Sequence, residues 1–222
     1  MAMKRANRSG TGPRSSLAVP AKRHRDSRKP ASRTDADRRA PDRLPADLRR
    51  VLLGEEEIRR RVEELAAQID ADCPESEGPL LVVGVLKGAF IFTADLARRL
   101  RRRHVVDFIA VSSYQGGQTS GNVRLMMDTR QNMEGRHVLV VEDILDSGYT
   151  LDFLVRSFRQ RNPLSVRTAV LLDKPARHVL PLKVDYLGFS IPDVWVVGYG
   201  LDYDEQYRTL PFIAEMRPPA GG

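Results

Sequence analysis

The chain has 222 residues, of which 41% are hydrophobic and 29% are charged, and its formal net charge is +7. This length and composition predict one globular domain with a sizeable core. The apolar runs are only strand-length and none lies near the start, so we expect neither a membrane span nor a secretory signal. A single cysteine, Cys73, excludes an internal disulfide framework and a multi-cysteine zinc site. Together these features favour the cytoplasm.

The positive charge is concentrated at the beginning of the chain. Residues 1–50 contain 15 Lys and Arg against 5 Asp and Glu, whereas the other 172 residues contain 21 against 24. Residues 1–43 lack apolar periodicity, which predicts a disordered basic extension before a domain over 44–217 and a flexible tail over 218–222. The extension could be a solvated segment, the result of a wrongly chosen start, a weak contact for nucleic acid or anionic surfaces, or an organelle transit peptide.

The first predicted elements are a helix and a buried strand. Residues 55–69 place aliphatic side chains on one face of a helix and three glutamates at its start. The apolar run Leu80–Leu86 predicts a strand buried on both faces, followed by Lys87, Gly88 and a helix over about 90–101. Ligands of open α/β sheets bind beyond the carboxyl ends of parallel strands, so this lysine and glycine are candidates for an anion site. A surface lysine in a tight turn is the alternative.

The next segment combines a strand with a polar loop. Val105–Ser113 predicts a third strand, and the glycine-rich stretch Tyr114–Asn122 is too polar to pack, so we expect a mobile loop there. Val123–Met127 then predicts a strand that pairs back.

The most informative stretch is residues 138–150. An apolar run, Val138–Val141, predicts a buried strand that ends in an acidic turn, followed by a loop of hydroxyls and glycine and a helix to about Arg161. The acidic residues are Glu142, Asp143 and Asp146. Amides at a helix start bind phosphate, whereas carboxylates suit ribose hydroxyls, magnesium or a developing positive charge. A sugar phosphate satisfies both halves, and a solvated turn with an N-cap at Ser147 or Thr150 is the alternative.

The last third supplies two further candidates. Ser165–Leu172 predicts another strand, and Lys174 follows immediately, where its ammonium can donate to a carbonyl oxygen. An irregular strand is expected over Val184–Ile191. The next segment contains Trp195, the only tryptophan, which can pack in the core or stack on a flat heterocycle.

Several of these segments together resemble one family. The sequence E-D-I-L-D-S-G-Y-T at 142–150 is similar to the phosphoribosyl diphosphate (PRPP) signature of type I phosphoribosyltransferases, in the form of the hypoxanthine(-guanine) enzymes. L-K-G-A-F at 86–90, the Ser-Tyr loop with T-S-G-N, and I-P-D-V-W-V-V-G-Y-G-L-D-Y-D-E at 191–205 resemble the diphosphate loop, the flexible loop and the base-binding segment. The resemblance covers Val51–Phe212. Tyr149 departs from it, since several relatives carry a lysine there.

The resemblance implies a fold, a reaction and a set of partners. The fold is α/β, with a mostly parallel central sheet flanked by helices and a small hood formed by the N-terminal helix and later segments. The reaction is purine salvage, in which Mg²⁺-dependent transfer of the phosphoribosyl group from PRPP to N9 of hypoxanthine, and guanine, gives IMP or GMP and diphosphate. The family also implies a homodimer or homotetramer and a cis peptide bond at Leu86–Lys87.

The resemblance also assigns individual residues. Those implied to bind PRPP and its phosphates are Lys87, Gly88, Ser113, Tyr114, Glu142, Asp143, Asp146, Ser147, Gly148, Tyr149, Thr150 and Arg208. The purine end is assigned to Lys174, Trp195, Val196 and Asp202, and Mg²⁺ to Glu142, Asp143 and Asp202. Asp146 is the implied catalytic residue, which exchanges a proton at N7 of the base.

Two alternatives stay open on the sequence. A transferase for xanthine or a pyrimidine would use the same PRPP site, although Lys174 and the Trp195 segment favour a 6-oxopurine. A nucleotide-responsive RNA-binding regulator could use the basic extension as its RNA arm. The small negative net charge of residues 51–222 speaks against that second reading, because such a regulator should carry a basic face on its folded part.

Overall fold

A computed structural model describes residues 44–73, 78–113 and 123–217. The expectations for 1–43, for the loop 114–122 and for 218–222 lie outside these ranges. The elements in chain order are β1 Leu48–Leu53, α1 Glu55–Asp72, β2 Leu80–Leu86, α2 Phe90–Ala97, β3 His104–Ser113, β4 Val123–Met127, β5 His137–Leu145, α3 Tyr149–Arg159, β6 Ser165–Asp173, a 3-10 turn Pro175–Arg177, β7 Tyr186–Ser190, β8 Val196–Val197 and β9 Ile213–Met216. No helix in the described ranges is long and apolar enough to cross a membrane.

The larger sheet has six strands in the order β4-β3-β2-β5-β6-β7. All neighbouring pairs are parallel except β3 with β4, which is antiparallel. The central strands β2, β5 and β6 are covered on both faces, which is why their sequences are continuous aliphatic runs. Parallel pairing brings the carboxyl ends of these strands to one edge of the sheet. Lys87, the acidic residues after Val141 and Lys174 therefore share that edge.

Two hydrophobic clusters lie on opposite faces of this sheet. Helices α1 and α2 pack on one face through buried residues that include Ile58 and Phe92. Helix α3 packs on the other face through Leu154 and Phe158. Successive residues of β2 belong alternately to the two clusters, as the two-residue repeat of a strand requires. The aliphatic periodicity of 55–69 and of α3 therefore marks the faces that the sheet covers.

The smaller sheet corrects one expectation about the hood. It has three antiparallel strands in the order β1-β9-β8 and its own cluster of apolar residues. Glu215 of β9 accepts hydrogen bonds from Arg49 and Arg50 of β1, each at 2.8 Å. The N-terminal contribution to this sheet is thus β1, whereas α1, which was expected in the hood, packs in the main core.

Three predicted element boundaries were also wrong. Strand β5 continues to Leu145, so Glu142 and Asp143 lie within a strand and not in a turn. The parallel ladder with β6 runs on to the pair Leu145–Asp173, and backbone pairing outlasts the apolar run. Helix α2 ends at Ala97, four residues before the expected end, and α1 extends three residues beyond its own.

We predict that Gly188→Ala destabilises the fold. A Cβ at Gly188 in β7 would lie 2.3 Å from the carbonyl oxygen of Leu171, a buried residue of β6 whose backbone cannot move aside. We expect the free energy of unfolding in urea to fall by about 1–3 kcal/mol. Gly54→Ala is the control, because a Cβ there meets no atom within 4 Å and the loss should stay below about 1 kcal/mol. Equal losses in both variants would contradict the packing of β7 on β6.

Candidate active site

Two carboxylates occupy the end of β5 in a poorly solvated environment. Glu142 is only 8% exposed, and Asp143 follows it directly near the end of β5. Burial, followed by the charge of Asp143, raises the pKa of Glu142 well above its ordinary value. Burial likewise raises the pKa of Asp143. A cation bound beside the pair would therefore stabilise its ionised form.

The acidic pair fits a magnesium ion that is shared with a phosphate ligand. Oε2 of Glu142 is buried and has no hydrogen-bond partner among the described residues. Within the same residues no group of three or more His, Cys, Asp or Glu side chains could enclose a metal. Magnesium commonly keeps several waters and takes one or two carboxylates together with substrate phosphates. The donor set thus suits an ion that arrives with its substrate.

Two glycines bring three chain segments into contact beside this pair. A Cβ at Gly88 would lie 1.6 Å from Oδ2 of Asp143, and a Cβ at Gly200 would lie 1.9 Å from the carbonyl oxygen of Gly88. Gly200 also has a φ of +108°, a region that favours glycine. The peptide bond Leu86–Lys87 is cis, as the family resemblance implied. The loop after β2 therefore packs against the Asp143 side chain near the end of β5 and against the backbone of the segment after β8.

A cationic cluster lies on the far side of that contact. The guanidinium of Arg208 donates to the carbonyl of Gly200 at 2.9 Å and contacts Asp202 at 2.9 Å and Glu205 at 3.2 Å. Nζ of Lys87 lies 2.9 Å from both carboxylate oxygens of Glu205. Hydrogen bonds from Lys87 and Arg208 lower the pKa of Glu205. The sequence predicted Lys87, Asp202 and Arg208 here but missed Glu205, because it was quoted only as part of a motif.

The loop between β5 and α3 has the geometry of a phosphate site. Gly148 has a φ of +91° and precedes the 11-residue helix α3, and no side chain makes a capping hydrogen bond there. Ser147 and Thr150 thus do not act as ordinary N-caps, which was the alternative interpretation. The first amides of a helix have no intrahelical partner, so those around Tyr149 are available to an anion.

A second group of charges gathers around Asp146 and Lys174. Arg177 contacts Asp146 at 2.9 Å and Asp193 at 4.0 Å, and Asp193 lies 3.7 Å from Nζ of Lys174. The side chain of Lys174 is 12% exposed, and its amide donates to Leu145 at 3.0 Å. Sequence reasoning missed Arg177 and Asp193. Asp193 was quoted only within the base-binding segment, and Arg177 carried no signal.

Trp195 and Val196 present an open surface near this second group. Trp195 is 60% exposed, so it is not the core residue of the alternative interpretation, and its ring meets that of Tyr203 edge-on with centroids 6.5 Å apart. Val196 lies in β8, an edge strand of the smaller sheet. The amide of Met216 donates to the carbonyl of Trp195, and bonded pairs alternate along an antiparallel ladder, so the N–H and C=O of Val196 point away from β9. Ser113 ends β3, and Tyr114 lies outside the described residues.

Comparisons with known proteins agree with this geometry. A phosphoribosyl transferase domain matches residues 52–204. Hypoxanthine-guanine phosphoribosyltransferase of Bacillus subtilis is 45% identical over 78% of this chain and 95% of its own, and hypoxanthine phosphoribosyltransferase of Escherichia coli is 42% identical over 75% and 94%. The chain belongs to the hypoxanthine phosphoribosyltransferase family. A solved structure of the Trypanosoma cruzi enzyme, 45% identical, superposes with a TM-score of 0.75 over 79% of this chain and 95% of its own. The predicted type I phosphoribosyltransferase fold is thereby confirmed.

We predict that Gly88→Ala inactivates this phosphoribosyltransferase without unfolding it. The new Cβ cannot coexist with the carboxylate of Asp143, so either that side chain or the loop carrying Lys87 must move by about an ångström. A displacement of that size at a reacting centre costs about 100-fold in kcat/KM for PRPP. Steady-state rates and thermal melting would be compared with those of Gly54→Ala, which has open space around it. Full activity in Gly88→Ala would show that this close approach is not needed.

Proposed function

We propose that this chain transfers the 5-phosphoribosyl group of PRPP to N9 of hypoxanthine, and of guanine, with release of diphosphate. The observation that carries the proposal is that one sheet edge combines an acidic pair, a helix start suited to phosphate and the nearby Lys174. The N9 electron pair forms the new bond to C1′ as the bond from C1′ to the diphosphate oxygen breaks, with inversion. Catalysis of such a displacement rests mainly on positioning and charge stabilisation.

The ribose end of PRPP is assigned to β5 and the loop after it. Glu142 and Asp143 accept hydrogen bonds from the ribose hydroxyls, and their negative charge favours the positive charge that develops on the sugar. The amides of 146–150, with the side chains of Ser147 and Thr150, hold the 5′-phosphate at the start of α3. The amide of Tyr149 serves here in place of the lysine that several relatives carry.

The diphosphate end is assigned to the loops that meet at the two glycines. Lys87 and Arg208 neutralise the leaving group, and the amide of Gly88, which follows Lys87 in the chain, donates to it. Mg²⁺, which Glu142, Asp143 and Asp202 would hold together with the substrate, supplies further charge neutralisation when bound. The unpartnered Oε2 of Glu142 supports this assignment.

The purine is assigned to the surface formed by Lys174, Trp195 and Val196. The ammonium of Lys174 donates to the 6-oxo group, and the exposed ring of Trp195 stacks on the base. The main chain of Val196 hydrogen-bonds to the edge of the purine. Asp146 exchanges a proton at N7 as general base or acid. Arg177 donates a hydrogen bond to the Asp146 carboxylate, and part of that contact must give way when the base binds.

Three further expectations belong to the same proposal. The Ser113–Tyr114 loop closes over bound PRPP, because water would otherwise hydrolyse the reactive sugar. The catalytic domain comprises 44–217, and the active form is a homodimer or homotetramer in the cytoplasm. Work on the Trypanosoma cruzi relative concerns its oligomeric state, which makes a multimer a natural expectation for this chain.

The proposal is tested by a spectrophotometric assay of the purified protein with PRPP and Mg²⁺. Hypoxanthine, guanine, xanthine and uracil are offered separately. We expect product with hypoxanthine and guanine, and we expect EDTA to abolish it. Product only with xanthine or uracil would assign a different base, and no product with any base would contradict the proposed activity.

We predict that Asp146→Asn lowers kcat by at least about 100-fold, since an amide cannot exchange the proton at N7. Binding of hypoxanthine should change less than turnover, because the asparagine keeps the shape of the side chain. Asp152→Asn is the matched control: it removes a carboxylate from the first turn of α3 that pairs with Arg156 at 2.9 Å and has no assigned role. If turnover survives in Asp146→Asn, the proton-transfer role is wrong.

A further inference from the structure

The two cations assigned to the diphosphate both contact one carboxylate of the chain itself. Both carboxylate oxygens of Glu205 lie 2.9 Å from Nζ of Lys87, and Oε2 also accepts from Nη2 of Arg208 at 3.2 Å. A single carboxylate therefore bridges the two groups that a diphosphate must reach. Carboxylate and phosphate oxygens offer the same charge sign and the same acceptor chemistry to these donors.

The backbone around Glu205 is shaped to present that carboxylate. Asp204, Glu205 and Tyr207 all have positive φ values, between 50° and 70°, although none of them is glycine. The amide of Glu205 donates to Oδ2 of Asp202 at 2.9 Å, and Tyr203 and Gln206 form an isolated antiparallel bridge. Left-handed residues in succession are uncommon and persist where the surrounding structure fixes them. The tight turn thus aims the Glu205 side chain at Lys87.

Glu205 and its partner Arg208 differ in how firmly they are placed. The side chain of Arg208 is 17% exposed and keeps two other contacts, with Asp202 at 2.9 Å and with the carbonyl of Gly200 at 2.9 Å. The side chain of Glu205 is 63% exposed, and solvent-exposed ion pairs are weak. An incoming anion can consequently displace Glu205 while Arg208 stays in place.

We propose that Glu205 is an internal competitor of diphosphate. In the ligand-free protein it occupies Lys87 and Arg208, and PRPP binding requires that it leave. After transfer it returns to the same cations and favours release of diphosphate. Glu205 thereby weakens the affinity for both PRPP and diphosphate without contacting the purine. The inference rests on the proposed assignment of Lys87 and Arg208 to the diphosphate.

The test is Glu205→Gln in the full chain, with binding of diphosphate and of PRPP measured by titration calorimetry in the presence of Mg²⁺. Removing the competing charge should tighten both dissociation constants by about three- to tenfold, because the cations are free in a larger fraction of molecules. The same change should lower the melting temperature of the ligand-free protein slightly, since an ion pair is lost. If Glu205 had only a structural role, Glu205→Gln would lower both the melting temperature and the affinity for diphosphate and PRPP.

Asp204→Asn is the matched control. It removes the same charge from the neighbouring position, which also has a positive φ, yet within the described residues Asp204 makes no ion pair. We expect its diphosphate affinity to change less than twofold. If both variants bind diphosphate more tightly to the same extent, the gain comes from the change in net charge alone. That result would contradict the specific role of Glu205.

Lys87→Met separates the inference from the assignment on which it rests. If Lys87→Met weakens diphosphate binding and Glu205→Gln leaves it unchanged or weaker, the diphosphate site stands and the competition by Glu205 is refuted. If Lys87→Met leaves diphosphate binding unchanged, the assignment of Lys87 itself is wrong, and the inference falls with it. Tighter binding in Glu205→Gln together with weaker binding in Lys87→Met supports both.

Discussion

The site depends on a close approach of backbone that only glycine permits. Gly88 lies against the carboxylate of Asp143, and Gly200 lies against the carbonyl of Gly88. These two contacts fix three segments that are far apart in the chain: the loop after β2, the end of β5 and the turn that carries Arg208. Because neither glycine carries a side chain, the acidic pair and the cationic cluster come to lie beside one another. A side chain at either glycine would separate the groups that must act on one substrate.

The acidic and basic residues around this contact would meet different parts of the substrate in the proposed reaction. Glu142 is buried and Asp143 is half-buried, and burial raises the pKa of both carboxyls, so they gain from a cation or, in the proposed reaction, from the positive charge of the sugar. In the proposed reaction Lys87 and Arg208 would meet the departing diphosphate, and Glu205 forms ion pairs with both of them in this structure. Under the proposed function the acidic and basic groups would therefore act on opposite ends of the bond that breaks.

The sequence predicted the central strands and most of the candidate residues because buried parallel strands read as continuous aliphatic runs, and polar residues follow them directly. It did not predict β1, whose sequence L-R-R-V-L-L carries two arginines, or the continuation of β5 through Glu142 and Asp143. Backbone pairing with neighbouring strands determines both β1 and the extension of β5. Such pairing leaves no signal in the local sequence. Glu205 contacts Lys87 across a separation of 118 positions in the sequence, and Arg177 contacts Asp146 across 31 positions. No pattern along the chain reveals contacts between residues so far apart.

The most direct test is a crystal structure of the protein with Mg²⁺, PRPP and a hypoxanthine analogue that carries carbon in place of N9 and cannot form the glycosidic bond. The account predicts the 5′-phosphate on the amides of 146–150 and the diphosphate between Lys87 and Arg208. It also predicts the base against Trp195, with its 6-oxo group at Lys174. A diphosphate bound away from both cations, or a base that leaves Lys174 and Trp195 in solvent, would contradict it.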